Sequence, residues 1–134
     1  MARVHEYQGK AILAANGFKI PRGRSANAAD EAVVAAGELK GEVVIKIQAW
    51  TTGRAGIGGV AFAKKPEEAR AHAERMLAMK VGQVPVEMVL VEEKIAIERE
   101  FFLSFAIDDA ARAPVVIFSA GGGTGIEERA AESE

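Results

Sequence analysis

Two spacings of apolar residues alternate along the chain, and glycines, prolines and charged pairs punctuate them. HEYQGKAILAANG, residues 5–17, predicts a short helix stopped by Asn16-Gly17. FKIP, residues 18–21, reads as extended, because the residue before Pro21 is pushed out of the helical region. From Asn27 the pattern is a capped helix, with Asp30 three residues on and Ala29, Ala32, Val33, Ala36 and Leu39 on one face. EVVIKIQA is a strand by its β-branched content, and GGVAFA is another. Pro66 opens a third helix, with Glu67 and Glu68 in its first turn, Ala69, Ala73, Met76 and Leu77 on its buried side, and Lys80 at its end. VEMVLVEEK and REFFLSFAID read as strands, and the polar DDAARAP joins the second of these to VVIFS as a hairpin. After a leading helix the order is therefore β-α-β-β-α-β-β-β. This predicts an α/β (α+β) domain, a mixed sheet with packed helices. Beyond Ser119, AGGGTGIEERAAESE is glycine-rich and then charged, which separates residues 1–119 from a tail, 120–134.

Composition narrows the class. A chain of 134 residues, 49% of them hydrophobic, matches one compact domain or part of one, since domains run to roughly 100–200 residues. No apolar run approaches the roughly 18 residues of a membrane span, and MARVHEYQGK has no secretory apolar stretch, so a cytoplasmic protein without a membrane is expected. With no cysteine there are no disulfides or thiolate sites. The two histidines, His5 and His72, are too far apart in sequence for an obvious metal cluster and read as ordinary helix residues. A net charge of −2 gives no footprint for nucleic acid. Any anion must then be bound by local geometry.

One stretch offers that geometry. In VVIKIQAWTTGRAGIGGVAFA, strand alternation sends Val43, Ile45 and Ile47 one way and Val44, Lys46 and Gln48 the other, so the ammonium points away from the most apolar face. An exposed lysine on a half-solvated strand fits that position as well as a ligand-binding one does. On either account, Lys46→Ala should leave the fold intact. Four glycines, Gly53, Gly56, Gly58 and Gly59, then surround Arg54, and glycines allow backbone N–H groups to approach an anion as a concave nest. Thr51 and Thr52 could add hydroxyl donors, and Trp50 could stack on a base or simply pack. A long hairpin turn without a ligand fits the same residues. The standard phosphate motifs do not fit, because both the P-loop and the dinucleotide fingerprint need a helix after the glycines and here a strand follows. GGGTG in the tail imitates the fingerprint weakly. Glu92, at a strand end, and Glu100, on the emptier face of its strand opposite Phe101, Leu103, Phe105 and Ile107, could accept hydrogen bonds from a nucleotide, pair with Lys46, or be solvated.

Together, HEYQGKAILAANGFKIPRG, VVIKIQAWTTGRAGIGGV, VLVEEKIAIEREFFLSFAID and GGTGIEE resemble the N-terminal ATP-grasp part of the succinyl-CoA synthetase β subunit and related ADP-forming acid–CoA ligases, in order and over essentially the whole chain. The resemblance implies an ATP-grasp N-terminal nucleotide-binding lobe over residues 1–119, with 120–134 leading toward a second lobe absent from this chain. It implies that Lys46 binds nucleotide phosphate, that Gly53, Arg54 and Ala55 form the loop over it, and that Glu92, Ile95 (through its backbone) and Glu100 line the nucleotide. It further implies ATP or GTP with Mg²⁺, whose ligands would lie in the missing C-terminal part, an α subunit carrying a phosphohistidine, and CoA and a carboxylic acid as co-substrates in the tricarboxylic acid cycle reaction. No residue of this chain reads as the nucleophile, so it would not be catalytic alone.

The loop departs from the family's usual QVHAGGRGKAGGV. Trp50 stands for histidine, Thr52 and Ala55 for glycines, and Gly56 for a lysine. One cation is lost, which leaves open a relative using citrate or malate. A stand-alone, truncated, non-catalytic module that binds a nucleotide or a partner is the alternative.

Overall fold

The computed structural model describes residues 3–122; the tail from residue 123 onward, including most of GGGTGIEE, lies outside them. The chain divides into two compact units, Met1–Ile95 and Ala96–Glu134, a division that falls inside the stretch read from sequence as one lobe.

In the first unit, α1 (Glu6–Ala15), β1 (Gly23–Ala26), α2 (Ala29–Leu39), β2 (Val43–Ile47), β3 (Val60–Ala63), α3 (Pro66–Leu77), β4 (Lys80–Val81), β5 (Val84–Pro85) and β6 (Val89–Glu93) follow one another. Four strands form one sheet in the order β1-β6-β2-β3, and every pairing in it is antiparallel. The strands joined through a helix still run the same way, because β6 lies between β1 and β2, and β2 lies between β3 and β6. Each crossover therefore leaves a gap that another strand fills, and the sheet expected to be mixed contains no parallel pair.

The hydrophobic side is the one alternation predicted. Val43, Ile45 and Ile47 of β2 join Val89 and Val91 of β6, and α2 and α3 cover them with Ala32, Ala35, Ala36, Ala69, Ala73 and Met76. Burying a side chain of the size of Ile45, Ile47 or Met76 contributes about 1.5–3 kcal/mol each, so this face holds the unit together. The small alanines let the two helices lie close, and Arg70 ties α3 to Asp30 of α2 at 2.5 Å. Pro66 opens α3 as expected. The N-cap of α2 is Ala28 rather than Asn27, because the Glu31 carboxylate reaches back and accepts the Asn27 N–H at 2.8 Å. Lys80 is not the end of α3 but the first residue of β4, which turns at Gly82 (φ 62°) into β5.

FKIP forms no strand, and the first strand begins beyond Arg22, at Gly23–Ala26. GRSA has no strand periodicity. Gly23 makes the pairing with β6 possible: a Cβ there would lie 2.3 Å from the Val91 carbonyl oxygen and 2.8 Å from Glu92 Cα.

The opposite side of the sheet is charged, and α1 lies against it. The helix ends as predicted in a left-handed glycine, Gly17 (φ 84°). The Gly17 N–H donates to Ala14 and the Phe18 N–H to Leu13, at 3.0 and 3.1 Å. Its first turn is closed by Gln8, whose side chain accepts the His5 N–H at 2.8 Å. No residue of α1 is fully buried, while Ile12 and Leu13 are exposed.

In the second unit, β7 (Phe102–Asp108) and β8 (Ala113–Ser119) form the hairpin read from the sequence. Its turn is closed by Asp108 Oδ1, which accepts the N–H groups of Ala110 and Ala111 at 2.9 and 3.0 Å. The register brings Val116 and Phe118 onto the face of Phe101, Leu103, Phe105 and Ile107, with Phe101 stacked on Phe118. Among the described residues no helix is long and apolar enough to cross a membrane.

Candidate functional site

Lys46 faces two carboxylates. Its Nζ lies 2.9 Å from Glu92 Oε2 and 3.0 Å from Glu6 Oε1. Glu92 arrives because β6 pairs with β2, where Val44 is directly opposite Glu92 and Lys46 is opposite Leu90, so both charges share one face. Glu6 arrives from the first turn of α1. Lys10, one turn further, closes the ring by pairing with Glu6 at 2.8 Å and with the other oxygen of Glu92.

The glycine loop joins the same cluster through Arg54. Its Nη2 donates to Glu6 Oε2 at 2.6 Å and its Nη1 to the Ile47 carbonyl at 3.1 Å. The loop is folded on itself. The N–H groups of Gly56, Gly58 and Gly59 donate to the carbonyls of Gly53, Ala55 and Arg54, and Arg75 of α3 holds the Gly58 carbonyl at 2.9 Å. Positive φ at Gly53 (64°) and Gly58 (76°) permits these turns. The N–H groups of Gly53, Arg54 and Ala55 donate to nothing among the described residues, and neither do those of their loop neighbours Trp50, Thr52 and Ile57.

Charge bookkeeping gives the cluster its character. Lys10, Lys46 and Arg54 face Glu6 and Glu92, three cations against two carboxylates, an excess of one positive charge in a protein of net charge −2. Burial works to raise the Glu6 pKa, but the hydrogen bonds from Lys10, Lys46 and Arg54 outweigh it and hold the carboxyl at about 2. For Lys46, burial likewise opposes the charge and loses to Glu92 and Glu6, so its pKa lies above the usual value.

A cleft of about 620 Å³ is lined by Glu6, Trp50, Thr51, Thr52 and Arg54 among others, and a neighbouring one of about 450 Å³ by His5, Tyr7, Gln48, Trp50 and Met88 among others. Lys46 lines neither cleft, but Glu6, which lines the first, pairs with it. Trp50 stacks on His5 with ring centroids 4.8 Å apart and remains more than half exposed. His5 is thus the N-cap of α1 and a stacking partner, and His72 lies within α3.

The sequence-named residues separate as follows. Lys46 and Glu92 pair directly, and Arg54 joins them through Glu6, the carboxylate it shares with Lys46. Glu92 is 2% exposed with both oxygens engaged, so its carboxylate is a partner of Lys46, one of the roles left open above. Ile95 ends the first unit with half its surface exposed, and its N–H donates to nothing among the described residues. Glu100 belongs to the second unit, where its carbonyl accepts the Gly122 N–H at 2.9 Å. Glu6 and Lys10 were missed. The available signal was their i,i+4 spacing in HEYQGK, an ion pair on a helix that no local pattern tied to a strand lysine 40 residues away. Among the described residues no three histidine, cysteine or acidic side chains gather as a metal site, so no step is assigned to a metal held by this chain.

The four-stranded antiparallel sheet thus carries a glycine loop and a strand-borne lysine on the face away from its two core helices. A family profile described as an ATP-grasp domain matches residues 3–134, and the chain belongs to that family. Its curated relatives include the succinate–CoA ligase [ADP-forming] subunit beta 1 of Archaeoglobus fulgidus, 42% identical over 130 residues, and the subunit beta of Wolinella succinogenes, 44% identical over 138. In each case 97% of this chain is covered but only 34% and 35% of the relative, so the chain spans about a third of their length. The fold resembles the dinucleotide forming acetyl-coenzyme A synthetase 1 of Ca. Korarchaeum cryptofilum solved with coenzyme A and Ca-AMPCP. The TM-score is 0.78 at 24% identity, over 94% of this chain and 57% of that one. It also resembles the ATP citrate lyase of Methanothrix soehngenii, with a TM-score of 0.67 at 20% identity, over 91% and 32%.

Proposed function

We propose that this chain is the nucleotide-binding part of an ADP-forming acid–CoA ligase β subunit, similar to succinyl-CoA synthetase, in which ATP cleavage is coupled to acyl-CoA formation. The observation that carries this reading is the excess positive charge where Lys46 and Arg54 converge beside three backbone donors, Gly53, Arg54 and Ala55. Lys46 and Arg54 neutralise the phosphates of ATP or GTP, and the loop N–H groups fix their orientation. Charge and positioning of this kind are the main protein contributions to phosphoryl transfer.

Glu92 acts on the nucleotide through Lys46, which it holds in place, and the backbone of Ile95 and the side chain of Glu100 line the remainder of the nucleotide. Residues 1–119 work as the lobe, and 120–134 lead toward the parts the longer relatives possess. Mg²⁺ enters with the nucleotide phosphates. The acceptor of the phosphoryl group is a histidine on an α subunit, which becomes a phosphohistidine as ADP leaves, CoA and a carboxylic acid complete the reaction, and the setting is cytoplasmic.

The test is ATP-dependent acyl-CoA formation by the full-length protein with its α subunit, alongside calorimetric titration with Mg-ATP. ATP binding that Lys46→Ala weakens at least tenfold supports the reading. Equal affinity in the two proteins, or no binding, would sink it.

A further inference from the structure

Glu6 stands between the cleft and Lys46. It lines the 620 Å³ cleft, as Arg54 does, and pairs with Lys46, which does not line it. The carboxylate bridges two cations from two elements: Oε1 is 3.0 Å from Lys46 on β2 and Oε2 is 2.6 Å from Arg54 on the loop. A phosphate bound by the same pair needs that same bridge.

Two further features make the carboxylate replaceable. The helix that carries it has no fully buried residue and is held to the sheet by polar contacts, the Glu6 and Lys10 ion pairs and the Tyr7 N–H donated to Gln48, which a charged ligand can exchange. Lys10, four residues along the same helix, already pairs with Glu6 and can keep it as a counter-ion once Lys46 and Arg54 are taken.

We propose that Glu6 is an internal stand-in for a nucleotide phosphate. It occupies Lys46 and Arg54 when the site is empty, and the polyphosphate of the incoming nucleotide displaces it, loosening α1 from the sheet. This rests on the reading of Lys46 and Arg54 as the phosphate cations. In the empty state the carboxylate keeps both cations oriented and their charges compensated. The exchange replaces one carboxylate charge, so it gains with the charge of the ligand, from about −2 for a phosphate monoester upward along a polyphosphate. Triphosphates are therefore favoured over monophosphates by the exchange itself.

The experiment uses the full-length protein and two probes, Mg-ATP and inorganic tripolyphosphate, with calorimetry and amide hydrogen exchange. Glu6→Gln should bind both probes about tenfold more tightly than the native protein, and Glu6→Asp, one methylene shorter but still charged, by a smaller factor. Saturating ATP should speed exchange of the α1 amides severalfold in the native protein, a change that simple charge repulsion would not produce. Glu6→Asp also serves as the probe if Glu6→Gln fails to fold. Unchanged or weaker binding by the variants, or α1 amides better protected with ATP, would overturn the exchange while Lys46→Ala still showed the phosphate site to be real. Failure of the native protein to bind ATP would remove both readings together.

Discussion

Glu92, on β6, places Oε2 2.9 Å from Nζ of Lys46 on the neighbouring β2, and its carboxylate is almost wholly removed from solvent. A lysine that alternation alone directs away from the core is thereby a structural partner of a buried acid as well as a candidate ligand for phosphate. Removing either residue must affect both stability and binding, and the two effects need separate measurements.

Lys46→Ala is expected to weaken ATP binding at least tenfold and to lower stability by about 1–3 kcal/mol. Breaking a buried pair costs about 3–5 kcal/mol, but Lys10 remains on Glu92 and the Lys46 side chain is itself 22% exposed, which reduces the cost. The intact fold expected from strand position alone is therefore retained only at reduced stability. Denaturant unfolding checks this; a loss below about 0.5 kcal/mol would show that the Glu92 pair contributes nothing.

Glu92→Gln preserves shape while removing the charge shared by Lys10 and Lys46. Both lysines are about one-fifth exposed and can recruit water, so a loss of about 1–3 kcal/mol is expected. The Lys46 pKa, raised in part by Glu92, should fall. Titration of the Lys46 side chain by NMR gives the direction, and a pKa that stays put or rises would contradict the pairing.

Gly23→Ala tests the strand that sequence reading overlooked. The added methyl would meet the Val91 carbonyl at 2.3 Å and the Glu92 side chain at 2.9 Å, neither able to yield without moving β6. A loss of about 1–3 kcal/mol follows from such overpacking. ATP affinity should fall as well, because β6 carries the acid that holds Lys46. A variant as stable as the native protein would place β1 elsewhere.

Glu6 gives the acid limb of the stability profile its shape. Its folded pKa of about 2 lies below the usual 4.5, so its contribution is complete above pH 4.5 and is lost as pH falls through about 2. The difference corresponds to at most roughly 3 kcal/mol, reduced by the solvent that still reaches a fifth of the side chain. Lys46 has the opposite sign: with its pKa raised, its contribution is complete below pH 10.5 and is lost as pH climbs through the raised value. Glu6→Gln should therefore lower the neutral plateau by up to the Glu6 contribution and flatten the further loss of stability between pH 4.5 and 2, as thermal unfolding from neutral pH down through that range would record.

Local chemistry in the sequence was sufficient for the helices and for the direction of Lys46. Asn16-Gly17 stops α1, Pro66 starts α3, and the alternation Val43, Ile45, Ile47 against Lys46 divides β2 into two faces, each within a few residues of the signal. The FFLSFAID and VVIFS hairpin was legible for the same reason, being two adjacent strands with one polar turn. The resemblance of whole segments reached Lys46, Arg54 and Glu92 before any geometry was known.

What no local pattern holds is which strand lies beside which. β1, the segment GRSA, is a strand because β6 lies next to it and Gly23 lets it approach, not because those four residues prefer extension. Glu92 meets Lys46 across 46 residues, and Glu6 meets it across 40. Both meetings follow from the order β1-β6-β2-β3 and from a helix laid on the face that this order leaves charged. The sequence by itself determined that a lysine would stand on the side of a strand away from the core. Only the tertiary structure decided that it would face carboxylates there, because an ion pair forms where distant segments are brought together and its strength depends on the water that their packing excludes.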